Sequence, residues 1–248
     1  MEENTEKTKV KDVLTEEQIL KLPQWVRDDI DNAFFVNDGR SSIEISDGRR
    51  YCLGNSLNDL SGGEWTRNIC SVINTRYSTR GEDSYAHNIR KIHPTPKPPQ
   101  LMKELIEFFT KENEIVFDYF MGVGGSLLGA SLCHRRGAGI DLNAKYIEAY
   151  QKASQQLNLP IQPCLCGDSD SLLDDETIIS ELLNGEKAGM ILIDPPYANM
   201  MSKEKTGADV AVYGSNSATP FTDSQFDLGN VPVEEFIAVG TKSAAAYQ

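Results

Sequence analysis

Four short apolar runs, separated by longer stretches of helical character, fill the chain from residue 114 to residue 197. EIVFDYF leads through MGVGGS into SLLGASLCHRR, GAGIDL precedes NAKYIEAYQKASQQLN, PCLCGD precedes DETIISELLNG, and AGMILIDPPY is the last. Apolar runs of strand length that recur after helices predict parallel strands, because a parallel neighbour is reached only through a long crossover. The fold class is therefore α/β: a mostly parallel twisted sheet with helices on both faces. Ligands of such sheets bind at the carboxyl ends of the strands, and the chemically suggestive residues of this chain fall there.

The sequence before this region reads differently. Residues 1–12 form a polar arm, and Thr15 with Gln18 has the spacing of a capping box. Ile19, Leu20, Trp25, Val26 and Ile30, interrupted by Pro23, predict one or two short helices. SSIEISDGRRYCLGN predicts a hairpin turning at Asp47-Gly48. Residues 62–98 are polar, basic and mostly loop; Pro98 and Pro99 then open a helix with Leu101, Leu105, Phe108 and Phe109 on one face. The expected organisation is an N-terminal helical and hairpin region (1–60), a basic connecting segment (61–98) and a ligand-binding domain (99–248).

Apolar residues at 40% and charged residues at 25% exclude a wholly disordered chain. No run approaches membrane-spanning length, and the polar N-terminus lacks the apolar centre of a secretory signal, so the expected location is the cytoplasm. Cys52, Cys70, Cys133, Cys164 and Cys166 suit no disulfide framework. Cys164-x-Cys166 has no second Cys or His pair, so the expectation is reduced thiols and no metal. The net charge of −13 disfavours nucleic acid until its distribution is considered. Between Trp65 and Lys103, seven basic residues face two acids, which leaves that segment at +5 and the remainder at −18.

Two motifs carry chemistry. In DYFMGVGGS, Gly122, Gly124 and Gly125 follow a strand and open a helix, where bare backbone and free N–H groups approach a ligand closely. Asp141 ends the next strand, 19 residues after Gly122, a position from which an acid commonly accepts from ribose hydroxyls. NAD, FAD and S-adenosylmethionine sites all use this arrangement, and a purely structural turn also fits it. No Lys-Ser/Thr follows the glycines, which excludes a phosphate loop of the P-loop kind. The second motif is Asp194-Pro195-Pro196-Tyr197, after the fourth apolar run, where two prolines end the ladder and stiffen the corner.

With these motifs the sequence resembles the S-adenosylmethionine-dependent amino-methyltransferases of DNA, from about Trp65 to the end. His93-Pro94-Thr95-Pro96-Lys97-Pro98 looks like the family's H-P-x-x-K-P element, which contacts the methionine end of the cofactor. Residues 118–124 are similar to its D-x-F-x-G-x-G turn, with Asp118 and Phe120 in place and Tyr119 where proline is usual. Gly139-Ile140-Asp141-Leu142 with Tyr146-Ile147 matches its second strand and helix, Cys166-Gly167-Asp168 its third strand, and residues 194–197 its D-P-P-Y catalytic motif. The resemblance implies a Rossmann-like methyltransferase fold and S-adenosylmethionine held by His93, Pro94, Lys97, Asp118, Phe120, Gly122, Gly124, Gly125, Asp141 and Asp168. It implies catalysis by Asp194, Pro195, Pro196 and Tyr197 on an exocyclic amine of a flipped-out DNA base, adenine N6 favoured over cytosine N4, in a restriction-modification, phage or mobile-element setting.

The order of motifs leaves 25 residues between Asp168 and Asp194, too few for a recognition domain. One helical pattern, PVEEFIAVGTKSAAAYQ, follows the catalytic loop, so the sheet is expected to lack its last strands through truncation at the C-terminus. The N-terminal hairpin, a homodimer or a completing partner chain are the alternatives for covering its edge. A catalytically silent, nucleic-acid-binding or regulatory subunit is the rival to an enzyme, and RNA or protein amines are further substrate classes. A nicotinamide dehydrogenase gives the tetrad no role.

Overall fold

The four apolar runs become four parallel strands in the computed structural model, which describes residues 7–36, 39–72, 75–196, 224 and 226–230. Three short strands precede them, so the parallel set is β4 (Ile115–Asp118), β5 (Arg136–Asp141), β6 (Cys164–Cys166) and β7 (Met190–Ile191), in the order β6-β5-β4-β7. The chain steps outward from β4 to β6 and then returns to the other side of β4 with β7. That reversal opens a crevice at the carboxyl ends of β4 and β7, the usual ligand position of an open α/β sheet.

Alternation along the strands assigns the two faces. Ile115 and Phe117 of β4, with Ala138 and Ile140 of β5, pack beneath Leu172 and Leu173 of α8 (Ser169–Leu173) and Ile179 and Leu182 of α9 (Glu176–Leu182). Val116 turns to the opposite face and meets Met102 and Ile106 of α5 (Pro99–Phe109) and Ala130 of α6 (Gly125–Leu132). On that face β5 carries Gly137 and Gly139; a Cβ at Gly139 would lie 2.6 Å from the Met121 sulfur. Tyr150 of α7 (Ala144–Gln156) completes the layer with Leu127 and Leu128. Helices therefore cover both faces, as expected of an α/β sheet.

Helix α5 departs from the expected stripe in detail. Met102 and Ile106 are its buried pair, Leu101 and Leu105 turn partly toward the crevice, and Phe109 is 47% exposed. The basic segment holds more helix than its polarity predicts: α3 (Gly62–Asn68) begins with a Ser61–Glu64 capping box, and α4 (His87–Arg90) follows. The Ser-x-x-Glu spacing is a start signal of purely local origin.

The N-terminal region has its own core, with Val10, Val26, Phe35, Ile43 and Tyr51 among its members. Helices α1 (Glu16–Leu20), capped by Thr15 and Gln18, and α2 (Gln24–Arg27) pack there. The predicted hairpin, β2 (Ser42–Glu44) and β3 (Arg50–Cys52), is joined by β1 (Phe34–Phe35) into a separate antiparallel sheet, so it adds nothing to the parallel one. Its docking contacts lie on the connections that enter β4 and β5. Arg135, 8% exposed, pairs with Asp59 at 3.2 Å and donates to Thr110 O and Cys133 O. Asp59 also accepts from Glu112 N at 2.6 Å, and Asn58 donates to Phe108 O at 2.7 Å. This region thus grips the amino ends of the strands, opposite the crevice. No helix among the described residues is long and apolar enough to cross a membrane.

Candidate active site

Each strand of the parallel sheet ends at or runs toward an aspartate: Asp118 is the last residue of β4 and Asp141 of β5, while Asp168 lies beyond β6 and Asp194 beyond β7. All four line one cavity of about 550 Å³, within the usual range for small-molecule sites. Sequence separation from 118 to 194 collapses there because parallel strands deliver their carboxyl ends to one edge.

The glycine turn is held by two of these acids. Asp118 is buried; its Oδ1 accepts from Phe120 N at 3.0 Å and its Oδ2 from the Ser126 hydroxyl. Burial dominates and pushes its pKa up to about 7, against the lowering effect of those hydrogen bonds. Asp141 accepts from Gly122 N at 2.8 Å through Oδ2 and from Asn143 N at 2.8 Å through Oδ1, and burial raises its pKa to about 6. A carboxylate offers about four acceptor positions, so Asp141 keeps capacity for a diol in the cavity.

Glycine is required where the turn is tightest. Gly124 has φ +71°, and a Cβ there would sit 2.1 Å from the Tyr150 ring. It is turned toward that ring and does not line the cavity, whereas Gly122 and Gly125 do. A Cβ on Gly125 would come within 2.8 Å of Lys97 O, so the turn and the 93–97 segment lie in direct contact.

That segment is anchored by Arg90, which is fully buried and donates Nε to Tyr85 O at 3.1 Å and Nη1 to Lys97 O at 2.7 Å. Burial lowers the Arg90 pKa to about 10, which leaves it cationic at neutral pH. His93 lies edge-on to Tyr146 with ring centres 4.8 Å apart and accepts from Thr95 N through Nδ1 at 3.1 Å. Burial drops its pKa to about 4, so it is a neutral imidazole with its proton on Nε2. A Cβ on Gly122 would lie 3.3 Å from that Nε2. His93, Thr95, Pro96 and Lys97 line the cavity; Pro94 does not. Asp168 lines it while capping α8, accepting from Asp170 N at 3.3 Å and from the Ser171 hydroxyl.

Asp194, Pro195 and Pro196 line the same cavity as the glycine turn, and Lys97 makes an ion pair with Asp194. Tyr197, and the expected loop and final helix between residues 198 and 248 except 224 and 226–230, lie outside the described residues. Residues 226–228 enter the cavity wall as well, a contribution no motif announced. Buried Asp227 there accepts from Gly229 N at 2.8 Å, and its charge adds to the upward shift of Asp141. Among the described residues, no cluster of His, Cys, Asp or Glu is placed to hold a metal ion. In the sequence Arg90 counts only as one more basic residue; its burial is a tertiary fact. Of the seven basic residues of that segment, Arg67, Arg76, Arg80 and Lys91 are exposed away from the cavity lining, and Lys97 is exposed on it.

Residues 5–152 match the DNA methylase family. The chain belongs to it. Members of this family take their methyl group from S-adenosylmethionine, and the cavity fits that molecule. Asp141 suits a ribose diol, Phe120 and Leu142 an adenine ring, and the bare backbone of Gly122 and Gly125 leaves room for close approach. The Putative methylase YubD of Escherichia coli is 41% identical over 70 residues, 28% of this chain and 29% of that protein. Type II methyltransferase M.HpaI of Haemophilus parainfluenzae is 37% identical over 75 residues, 30% of this chain and 24% of that protein. Type II methyltransferase M.BglII of Bacillus subtilis is 25% identical over 131 residues, 51% and 34%. The matched stretches thus span less than two thirds of those relatives' own length. A solved SAM-dependent methyltransferase from Agrobacterium tumefaciens aligns with 71% of this chain and 50% of its own, at 17% identity and a TM-score of 0.33.

Proposed function

We propose that this chain transfers a methyl group from S-adenosylmethionine to an exocyclic amine of a DNA base, adenine N6 in preference to cytosine N4. One observation carries the reading: the Asp194-Pro195-Pro196 corner lines the same cavity as the glycine turn and Asp141. The bound cofactor supplies an electrophilic sulfonium methyl. The chain's own part is to make a poor nucleophile attack, since the lone pair of an aromatic amine is delocalised into its ring. Asp194 and the carbonyl of Pro195 accept the two N–H hydrogens, which favours a pyramidal nitrogen with its lone pair aimed along the methyl–sulfur axis. The same acceptors stabilise the positive charge that develops on nitrogen, and a proton then leaves the methylated amine to Asp194 or water.

An amine inside a duplex is out of reach, so the base is extruded into the cavity, with Tyr197 as the stacking platform that the family resemblance implies. Exposed Arg67, Arg76, Arg80 and Lys91 offer phosphate contacts on the basic segment. In this reading residues 99–248 form the catalytic domain, acting in the cytoplasm on a specific DNA site. The test is Asp194→Ala: methyl transfer to duplex DNA is lost while S-adenosylhomocysteine binding, followed by calorimetry, is kept. Equal loss of both removes the role given to Asp194. Nucleoside analysis of the product separates N6-methyladenine from N4-methylcytosine, and the latter would overturn the adenine preference.

A further inference from the structure

The cavity wall is acidic. Among the described residues lining it stand six aspartates (118, 141, 168, 170, 194 and 227) and one Lys or Arg, Lys97. That ammonium is ion-paired with Oδ2 of Asp194. The two side chains are 44% and 34% exposed, so the pair is reached from the cavity mouth. The backbone behind Lys97 is fixed: its carbonyl accepts from buried Arg90, it lies against Gly125, and Pro96 and Pro98 flank it.

We propose that Lys97 is a positioning residue for Asp194, holding that carboxylate ionised and turned into the cavity until the base amine takes over the contact. This rests on the function proposed above and departs from the family-derived expectation, in which the element bearing Lys97 serves the methionine end of the cofactor. The physical need is local. Asp194 faces Asp118 from β4, with Asp141 from β5, Asp168 and Asp170 from the start of α8, and Asp227 from the 226–228 segment around the same space; His93 is neutral. A carboxylate in such company is driven toward its protonated form, which is a far weaker acceptor for a base amine. A single opposing cation in contact with it reverses that tendency, and as a flexible point charge Lys yields the site to an incoming amine more readily than a two-pronged guanidinium would.

The test uses Lys97→Met and Lys97→Arg in the full chain. S-adenosylhomocysteine affinity, measured by calorimetry, is expected to stay within about threefold of wild type in both variants. For Lys97→Met, kcat on duplex DNA is expected to fall by about tenfold or more near neutral pH. The acidic limb of its pH–kcat profile moves to higher pH by about one unit, the low end of the shift an adjacent opposite charge produces because this pair is partly solvated. Lys97→Arg restores the limb and most of kcat. Carboxyl carbon NMR of aspartate-labelled protein, with Asp194 assigned from Asp194→Asn, reads the same midpoint without turnover.

Loss of S-adenosylhomocysteine affinity by about tenfold with an unmoved limb would show Lys97 to be a cofactor ligand, and no change in any readout would reduce the pair to an incidental surface contact; either overturns the proposal. A wild-type chain that methylates no DNA sinks the proposed function, and the NMR midpoint then decides the Lys97 assignment alone.

Discussion

Replacing Gly124 by alanine tests whether the glycine turn is set by backbone and packing or by the ligand it faces. Gly124 caps the start of α6 at φ +71°, where an L side chain costs roughly 1–2 kcal/mol. The added Cβ would stand 2.1 Å from Cδ2 and 2.6 Å from Cγ of the fully buried Tyr150, so the ring or the helix must shift. Overpacking of that kind adds roughly 1–3 kcal/mol. Gly185 provides the control: its φ is +72°, but a Cβ there would meet nothing within 4 Å, so only the backbone cost applies. At about 2–4 °C per kcal/mol for a chain of this size, Gly185→Ala should lower Tm by a few degrees and Gly124→Ala by about 5–15 °C. Calorimetric melting of both variants without cofactor reads the difference. In a Tyr150→Ala background the clashing ring atoms are gone, so most of the steric part should vanish and Gly124→Ala should cost there close to what Gly185→Ala costs. Equal losses for the two glycines in the wild-type background would refute the packing argument.

Two further outcomes follow from the same geometry. Asp118 holds its proton to about pH 7 in the folded chain but ionises near 3.8 when unfolded. Between those values the native state binds the extra proton, so this group's contribution to stability falls as pH rises; Asp118→Asn should flatten that slope in urea titrations and gain a few kcal/mol at pH 7–8 relative to wild type. A slope unchanged in the variant would contradict the assignment. At the opposite end, Arg135→Met removes one cation from Asp59, which keeps Glu112 N and Lys111 as partners, and strands two backbone carbonyls; it should cost about 2–4 kcal/mol in urea unfolding. S-adenosylhomocysteine affinity should not change, because Arg135 stands at the amino ends of the strands; a matched loss of affinity would show that the two ends are coupled.

Layer type, and the edge at which chemistry gathers, are legible in the chain without its fold. Recurrent apolar runs separated by helix-length segments permit little but a parallel sheet, and Gly122, Gly124, Asp141 and Asp194 stand out because glycines in a strand-to-helix turn and acids at strand ends are local features of the chain. The capping boxes at Thr15 and Ser61 are local in the same sense. Everything that depends on burial or on meeting across the chain belongs to the folded molecule instead. Arg90 looks like any basic surface residue until the 85–97 segment wraps it, and Asp227 has no local pattern that predicts a place beside Asp141. Lys97 belongs to a recognisable element, but its contact with Asp194 spans 97 positions and exists only because β7 returns to the far side of β4. The amphipathic stripe of α5 fails in its details for a related reason: helical periodicity names a face, while the neighbours decide that Met102 and Ile106 are covered and Phe109 is not. Periodicity and turn chemistry act over a few residues and are written in the sequence. Desolvation and charge pairing act through space, and only the folded chain sets them.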